Sequence, residues 1–182
     1  MTILDPIRTR RSVRSYASQE VSDEALWEIL EAARLAPSGS NKQPWSFVVV
    51  RSDEMRARLT EACHNQQWMM QAPVHIVCVA DPLSRDEALR GARVDEETPN
   101  LAVKTTMRCT AIAIEHLVLQ AEALGLSTCW IAWFKQDDVR PVLSIPEDQY
   151  VVAVVTLGYP DEHPAARPRK PLGEIVRYES WT

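Results

Sequence analysis

The chain has 182 residues, 46% of them hydrophobic and 25% charged, which is typical of one globular domain spanning residues 1–182, or of one domain completed by a partner chain. A formal net charge of −5 argues against nucleic-acid binding through bulk charge, and charged residues interrupt the longest apolar-rich stretch, so we expect neither a nucleic-acid nor a membrane partner. The four cysteines have no paired spacing, which favours free thiols in the cytoplasm over disulfides or a zinc site.

Apolar periodicity and capping residues predict alternating helices and strands in the first half of the chain. In chain order, we expect a short helix over 3–10 and a second helix from the N-cap Ser22 to just before Pro37. A strand over 45–50 follows, and it is too apolar to have a solvent-facing side. The next elements are a helix over 53–63 capped by Ser52 and a buried strand over 74–80.

The second half continues the alternation after a polar segment, 81–100, which we expect to be a mobile loop, a lid or a polar helix. The later elements are predicted as a long central helix over 101–124 ended by Gly125, a strand over 127–133, a short helix over 137–143, a strand over 150–157 and a basic, proline-rich tail over 164–171. Because helices separate the strands, the fold class is mixed α/β.

Missing motifs exclude several mechanisms. The five glycines form neither a dinucleotide-binding motif nor a phosphate-cradling loop, and no nucleophile elbow is present. The four histidines lack metal-ligand spacing, and His75 is expected to be a core residue of its strand. The acidic triplet 95–97 is expected to solvate a loop. We therefore predict no metal site.

A basic segment at residues 8–16, RTRRSVRSY, contains four arginines and two serines in nine positions. If it is extended or half-helical, Arg10, Ser12 and Arg14 share one face. Guanidinium groups match phosphate oxygens in geometry, so a phosphate monoester is one candidate ligand. A merely solvated basic face is the alternative, and this segment alone does not decide between them.

Three further segments could contribute to a site. Residues 36–45, APSGSNKQPW, form a turn before a strand, and the alternating amides of Asn41 and Gln43 would point the same way and could contact a planar ligand. Residues 125–134, GLSTCWIAWF, join a long helix to a strand, and taken alone they favour a tryptophan-rich core strand. Residues 167–172, RPRKPL, form a second basic segment, stiffened by prolines.

Together with LGYP at 157–160, these segments resemble the nitroreductase family, in a short-format chain, and the match extends in order over nearly the whole sequence. The resemblance implies an α+β nitroreductase-like fold, with a central mixed, mainly antiparallel sheet surrounded by helices. It also implies non-covalent FMN and an intertwined homodimer with each flavin at the subunit interface.

Carried over position by position, the resemblance implies that Arg10 and Arg169 hold the FMN phosphate, with Ser12 hydrogen-bonded nearby. Arg14 would approach the pyrimidine side of the flavin, where a cation stabilises the reduced anionic ring and raises its reduction potential. The resemblance also implies that Arg11 contributes through its backbone or stem, and that the backbone around Cys129, Trp130 and Ile131 lies along the ring. The last group of cofactor-binding residues would either come from the partner chain or line the pyrimidine edge: Pro37, Ser38, Asn41 and Gln43.

The implied reaction is ping-pong hydride transfer from NAD(P)H, through flavin N5, to a small electron-poor acceptor such as a nitroaromatic, a quinone or an activated alkene. No catalytic side chain is nominated, because flavin N5 is the reacting atom. Two alternatives are a flavin sensor or storage protein without turnover, and a non-flavin module whose basic segments bind nucleic acid or phosphoprotein.

Overall fold

A computed structural model describes residues 3–181 of the chain. Its helices and strands follow the predicted alternation: α1 (Asp5–Thr9), α2 (Asp23–Arg34), β1 (Trp45–Val50), α3 (Asp53–Ala62), β2 (Val74–Ala80), α4 (Leu101–Ala123), β3 (Ser127–Ile131), α5 (Gln136–Val139), β4 (Tyr150–Gly158) and α6 (Leu172–Ile175).

The four strands form one sheet in the order β1-β2-β4-β3, and all three pairings are antiparallel. A parallel bridge joins Ser12 to Thr128 of β3, so the N-terminal segment lies against the edge of the sheet. The expected mixed, mainly antiparallel sheet is therefore confirmed.

Two apolar clusters cover the two faces of the sheet. Ile76 and Cys78 of β2 face a cluster that includes Ile29 of α2 and Leu117 of α4. The alternate β2 residues, Val77 among them, face a second cluster with α3 and α5. Both faces of β2 are thus covered, which explains why all seven of its residues are buried. The predicted central helix is α4, with ten buried residues.

Local capping signals set the helix ends as predicted. The Ser22 hydroxyl accepts a hydrogen bond from the backbone N–H of Ala25, and the Ser52 hydroxyl accepts one from Met55. Gly125 follows α4 with a φ of +74°, a conformation that favours glycine over residues with a Cβ.

Two strand predictions are wrong in detail. β1 is an edge strand, and Ser46 is exposed while Phe47 and Val49 are only half-buried, because no strand within residues 3–181 pairs with its outer edge. β3 ends at Ile131 rather than residue 133, and Trp133 is exposed. Apolar composition alone does not distinguish a strand end from surface aromatics.

Two connecting segments resolve expectations about helices. Of the alternatives for the segment 81–100, the polar helix is wrong: the segment consists of two short 3₁₀ turns, Pro82–Ser84 and Glu87–Leu89, followed by a loop. Arg140, itself buried, holds that loop by donating to the carbonyl of Val94. The helix predicted over 137–143 is split into α5 and a 3₁₀ turn that begins at Pro141, whose ring cannot continue a helix.

The expectations for His75 and for the cysteines are confirmed. His75 is fully buried, and its Nε2 lies 2.9 Å from the Met69 carbonyl. The four cysteines are buried and unpaired. Within residues 3–181, no group of acidic, histidine or cysteine side chains is arranged to hold a metal, and no helix has the length and apolarity needed to cross a bilayer.

Candidate functional site

The basic segment after α1 runs as an extended arm, residues 10–16, along the edge of the sheet. The backbone N–H of Val13 donates to the Thr128 carbonyl at 3.1 Å. The Tyr16 hydroxyl donates to the Val13 carbonyl and shares a hydrogen bond with Thr156, both at 2.7 Å. Burial raises the pKa of Tyr16, so its hydroxyl stays protonated. The arm is therefore fixed to both β3 and β4.

A cavity of about 420 Å³ lies between this arm and the C-terminal tail, and we call it the arginine pocket. It brings together the two basic segments that are far apart in the sequence. Its lining comprises Arg10, Arg11, Ser12, Arg14, Glu162, Pro164, Ala165, Arg167 and Arg169. The predicted neighbours Arg10, Ser12 and Arg14 thus share one cavity with Arg169.

Most of the pocket's cations are not neutralised. The ion pairs found within residues 3–181 involve none of Arg10, Arg14, Arg167 and Arg169. Five arginines and one glutamate line the cavity, which suits a dianionic phosphate, because guanidinium groups present donors in a fork that matches its oxygens.

Arg11 has a structural role alongside its place in the lining. One of its guanidinium nitrogens, Nη1, donates to the carbonyls of Arg8, Thr9 and Arg10 at 3.1, 2.7 and 2.8 Å. It therefore satisfies carbonyl groups at the end of α1. Arg8 is exposed and pairs with Asp5, outside the pocket, as expected of a surface residue.

The structure adds Glu162, which sequence reasoning missed. Its Oε1 accepts hydrogen bonds from the backbone N–H groups of Arg14 and Ser15, at 2.5 and 3.2 Å. Glu162 follows β4 by four residues and is separated from Arg14 by 148 positions in the sequence. No local pattern could have identified this contact.

Trp68 is the second residue that sequence reasoning missed. The Arg14 guanidinium carbon lies 5.5 Å from the centroid of the Trp68 ring, within the range of a cation–π interaction. Trp68 is half-buried and packs against Val13, Tyr16 and Ala72. An isolated tryptophan in the loop after α3 carries no signal that it would meet the N-terminal arm.

The residues predicted to lie along a flavin ring occupy β3, directly after the bridge at Thr128. Cys129 and Ile131 are buried at 2% and 4% exposure, whereas Trp130 is 37% exposed. Of the three residues, only Trp130 therefore presents substantial surface. Burial raises the pKa of the Cys129 thiol, despite the nearby Arg14 charge, so the thiol is neutral.

The loop holding Pro37, Ser38, Asn41 and Gln43 is not brought to the arginine pocket within one chain. It precedes β1, on the sheet edge opposite β3, so three strand spacings, roughly 14 Å, separate those edges. The loop leads into β1 at Trp45, which pairs with Ala80 at one end of β2. Val74, at the other end of β2, is in register through β4 with Thr128 of β3. The loop and the pocket therefore lie at diagonal corners of the sheet.

The loop lacks the extended backbone on which the expected common direction of the two amides depended. Residues Gly39–Asn41 form a 3₁₀ turn, and Ser40, Asn41 and Gln43 all have positive φ, so the segment is not extended. The Ser38 hydroxyl accepts from the backbone N–H of Gln43 at 2.8 Å and closes the turn. All of these residues except the half-buried Ser38 are exposed, as is Pro37.

Comparisons with known proteins agree on one relationship. The model of the family described as "Nitroreductase family" matches residues 7–159. A relative from Archaeoglobus fulgidus, provisionally named NADH dehydrogenase/NAD(P)H nitroreductase, is 37% identical over 163 residues, covering 87% of this chain and 86% of the relative. The solved structure of NfrA2 from B. megaterium has 30% identity and a TM-score of 0.85, covering 97% of this chain and 74% of that one. The NADPH:FMN oxidoreductase of Vibrio harveyi, solved with NAD+, has 25% identity and a TM-score of 0.86, covering 98% and 77% of the two chains.

Proposed function

The chain belongs to the nitroreductase family, and on that premise we propose that it is an FMN-dependent oxidoreductase that uses NAD(P)H to reduce a small electron-poor acceptor. The observation that carries this proposal is the arginine pocket, where cations from the two basic segments converge and four of them form no ion pair with any residue of 3–181. The named NADPH:FMN oxidoreductase among the structural relatives supports the choice of FMN.

The residues present fit a non-covalently bound FMN. Arg10 and Arg169 would hold its phosphate, with Ser12 hydrogen-bonded nearby. Arg14 would lie toward the pyrimidine side of the ring, and the backbone of 129–131 would run along it. Bound FMN would supply the redox chemistry, taking electrons from NAD(P)H and passing them, in a separate half-reaction, to a nitroaromatic, quinone or activated alkene.

A homodimer with FMN at its interface is part of the proposal. The loop over 37–43 and the arginine pocket lie at diagonal corners of the sheet, so a second copy is needed for both to contact one ligand. Exposed apolar side chains on α1, α4 and the tail, such as Ile7, Leu101 and Leu172, support a large interface.

The proposal also includes the domain organisation and the location of the protein. The sheet is packed on both faces, which supports a single FMN-binding domain over 1–182. The four free cysteines support a cytoplasmic location.

The test begins with the purified protein and FMN. We expect a yellow complex whose flavin absorbance bleaches with NADH or NADPH and recovers when an acceptor is added. A colourless protein that does not bind added FMN would contradict the proposal. Bound FMN that neither nicotinamide reduces would indicate a sensor or storage protein instead.

Arg10→Ala tests the assignment of the pocket. Loss of one charge-assisted hydrogen-bonding group should weaken FMN binding by about 1.5–3 kcal/mol, or roughly ten- to two-hundred-fold in Kd. Arg169→Ala should act similarly if both cations share the phosphate. Arg8→Ala is the matched control, since Arg8 lies in the same basic segment but pairs with Asp5 outside the pocket. Equal FMN affinity in wild type and Arg10→Ala would refute the assignment.

A further inference from the structure

We propose that Trp68 is a positioning residue for Arg14 and that this contact helps to set the reduction potential of the flavin. The inference rests on the proposed function, because it concerns how the chain orients a cation toward bound FMN. It adds a residue outside the predicted cofactor-binding set, and it is supported by contacts on both the backbone and the side chain of Arg14.

The backbone of Arg14 is fixed from two sides. Glu162 accepts hydrogen bonds from the N–H groups of Arg14 and Ser15, on the side of the tail. On the side of the sheet, Val13 is bonded to Thr128, and Tyr16 is anchored through Thr156. The Cα position of Arg14 is therefore determined by β3, β4 and the start of the tail together.

The side chain of Arg14 needs a separate restraint, because it is exposed and forms no ion pair within residues 3–181. An arginine with no such restraint would occupy many rotamers. The ring of Trp68, 5.5 Å from the guanidinium carbon, provides a face on which the cation can rest.

Trp68 can act as a support because it is itself held in place. It lies in the 3₁₀ turn Gln67–Gln71 and packs against Val13, Tyr16 and Ala72. The Arg56 guanidinium braces this turn by donating to the carbonyls of Met70 and Ala72 at 2.9 and 2.7 Å. The tryptophan thus links the arm to the core beneath it.

The consequence is a cation held in one place before the flavin is reduced. A cation near the pyrimidine side stabilises the reduced anionic ring and raises the potential. An exposed cation–π contact changes the population of the oriented state by about two- to five-fold. At about 30 mV per tenfold for a two-electron couple, loss of the contact should lower the midpoint potential by about 10–20 mV.

The experiment is a double-mutant cycle on the midpoint potential of bound FMN, measured by equilibration with a reference dye. Trp68→Leu should lower the potential by about 10–20 mV, and Trp68→Phe, which keeps an aromatic face, should restore most of it. In an Arg14→Gln background, Trp68→Leu should cause no further shift. Trp181→Leu is the matched control, because it removes the Arg177–Trp181 cation–π contact in the tail, outside the pocket lining; its potential should equal that of the wild type.

A second measurement needs no flavin. In the NMR spectrum of the apo protein, the Arg14 side-chain protons should show a ring-current shift that disappears in Trp68→Leu. A missing ring-current shift, an unchanged potential in Trp68→Leu, or an equal shift in the Arg14→Gln background would each overturn the role of Trp68 while leaving the proposed function intact. Failure of the wild type to bind FMN would instead overturn the proposed function, and the effect on the potential with it.

Discussion

Gly158, the last residue of β4, offers a direct test of how the core supports the arginine pocket. A Cβ added there would lie 2.7 Å from Cδ of Pro73 and 2.9 Å from Cδ1 of Tyr16. Both distances are shorter than real Cβ contacts, and both partners are rings that cannot rotate away as a flexible side chain could. Gly158→Ala must therefore displace Pro73, Tyr16 or β4 itself.

The expected effect follows from overpacking a buried position. Such substitutions cost about 1–3 kcal/mol of stability. For a chain of this size, that lowers Tm by roughly 2–12 °C, at about 2–4 °C per kcal/mol. Because the Tyr16 hydroxyl holds Val13 and reaches Thr156, its displacement should also disturb the arm and weaken FMN binding.

The assay pairs urea unfolding of the apo protein with FMN titration followed by flavin fluorescence. Gly173→Ala is the matched control, because no atom lies within 4 Å of the added Cβ and the glycine has an ordinary φ. Its stability should stay within about 0.5 kcal/mol of the wild type. If Gly158→Ala unfolded at the wild-type urea concentration and bound FMN normally, the inferred coupling between this packing contact and the arm would be refuted.

Two further predictions concern buried polar groups. The buried side chain of Gln136 donates to the carbonyl of Val151 and accepts from its N–H, each at 2.8 Å. Gln136→Leu leaves both backbone groups unpaired and should lower the free energy of unfolding in urea by about 2–4 kcal/mol. An unfolding midpoint equal to that of the wild type would show that water replaces the amide. Burial lowers the pKa of His75 to about 4 from its usual 6.5. The unfolded chain then binds a proton that the folded chain does not, so stability should fall as pH drops from about 6.5 to 4, by up to about 1.4 kcal/mol per pH unit. The slope of unfolding free energy against pH should be smaller in His75→Val, and an identical slope would exclude His75 as its source.

Several elements were predictable because their causes are local. Ser22 and Ser52 cap helices through residues three positions away, and Gly125 ends α4 through its own backbone conformation. The placement of Arg10 beside Arg169 was also expected, although from a family resemblance rather than from spacing. The resemblance indicated which segments meet, and the structure shows that they share one cavity.

Other features depended on contacts between distant parts of the chain. The exposure of β1 follows from its position at the sheet edge, which its apolar sequence does not reveal. Trp68 and Glu162 have no local signature of a site, because each meets the arm only after the sheet has brought their segments together.

The sequence by itself determined the order of the helices and strands, their caps, and the two basic segments able to bind an anion, since these depend on side-chain chemistry and near neighbours. Only the tertiary structure decided which cations remain without carboxylate partners, where Arg14 rests, and that the loop over 37–43 lies far from the pocket of its own chain. The physical reason is that strand order and packing across the sheet set these distances, and no local pattern of residues encodes them.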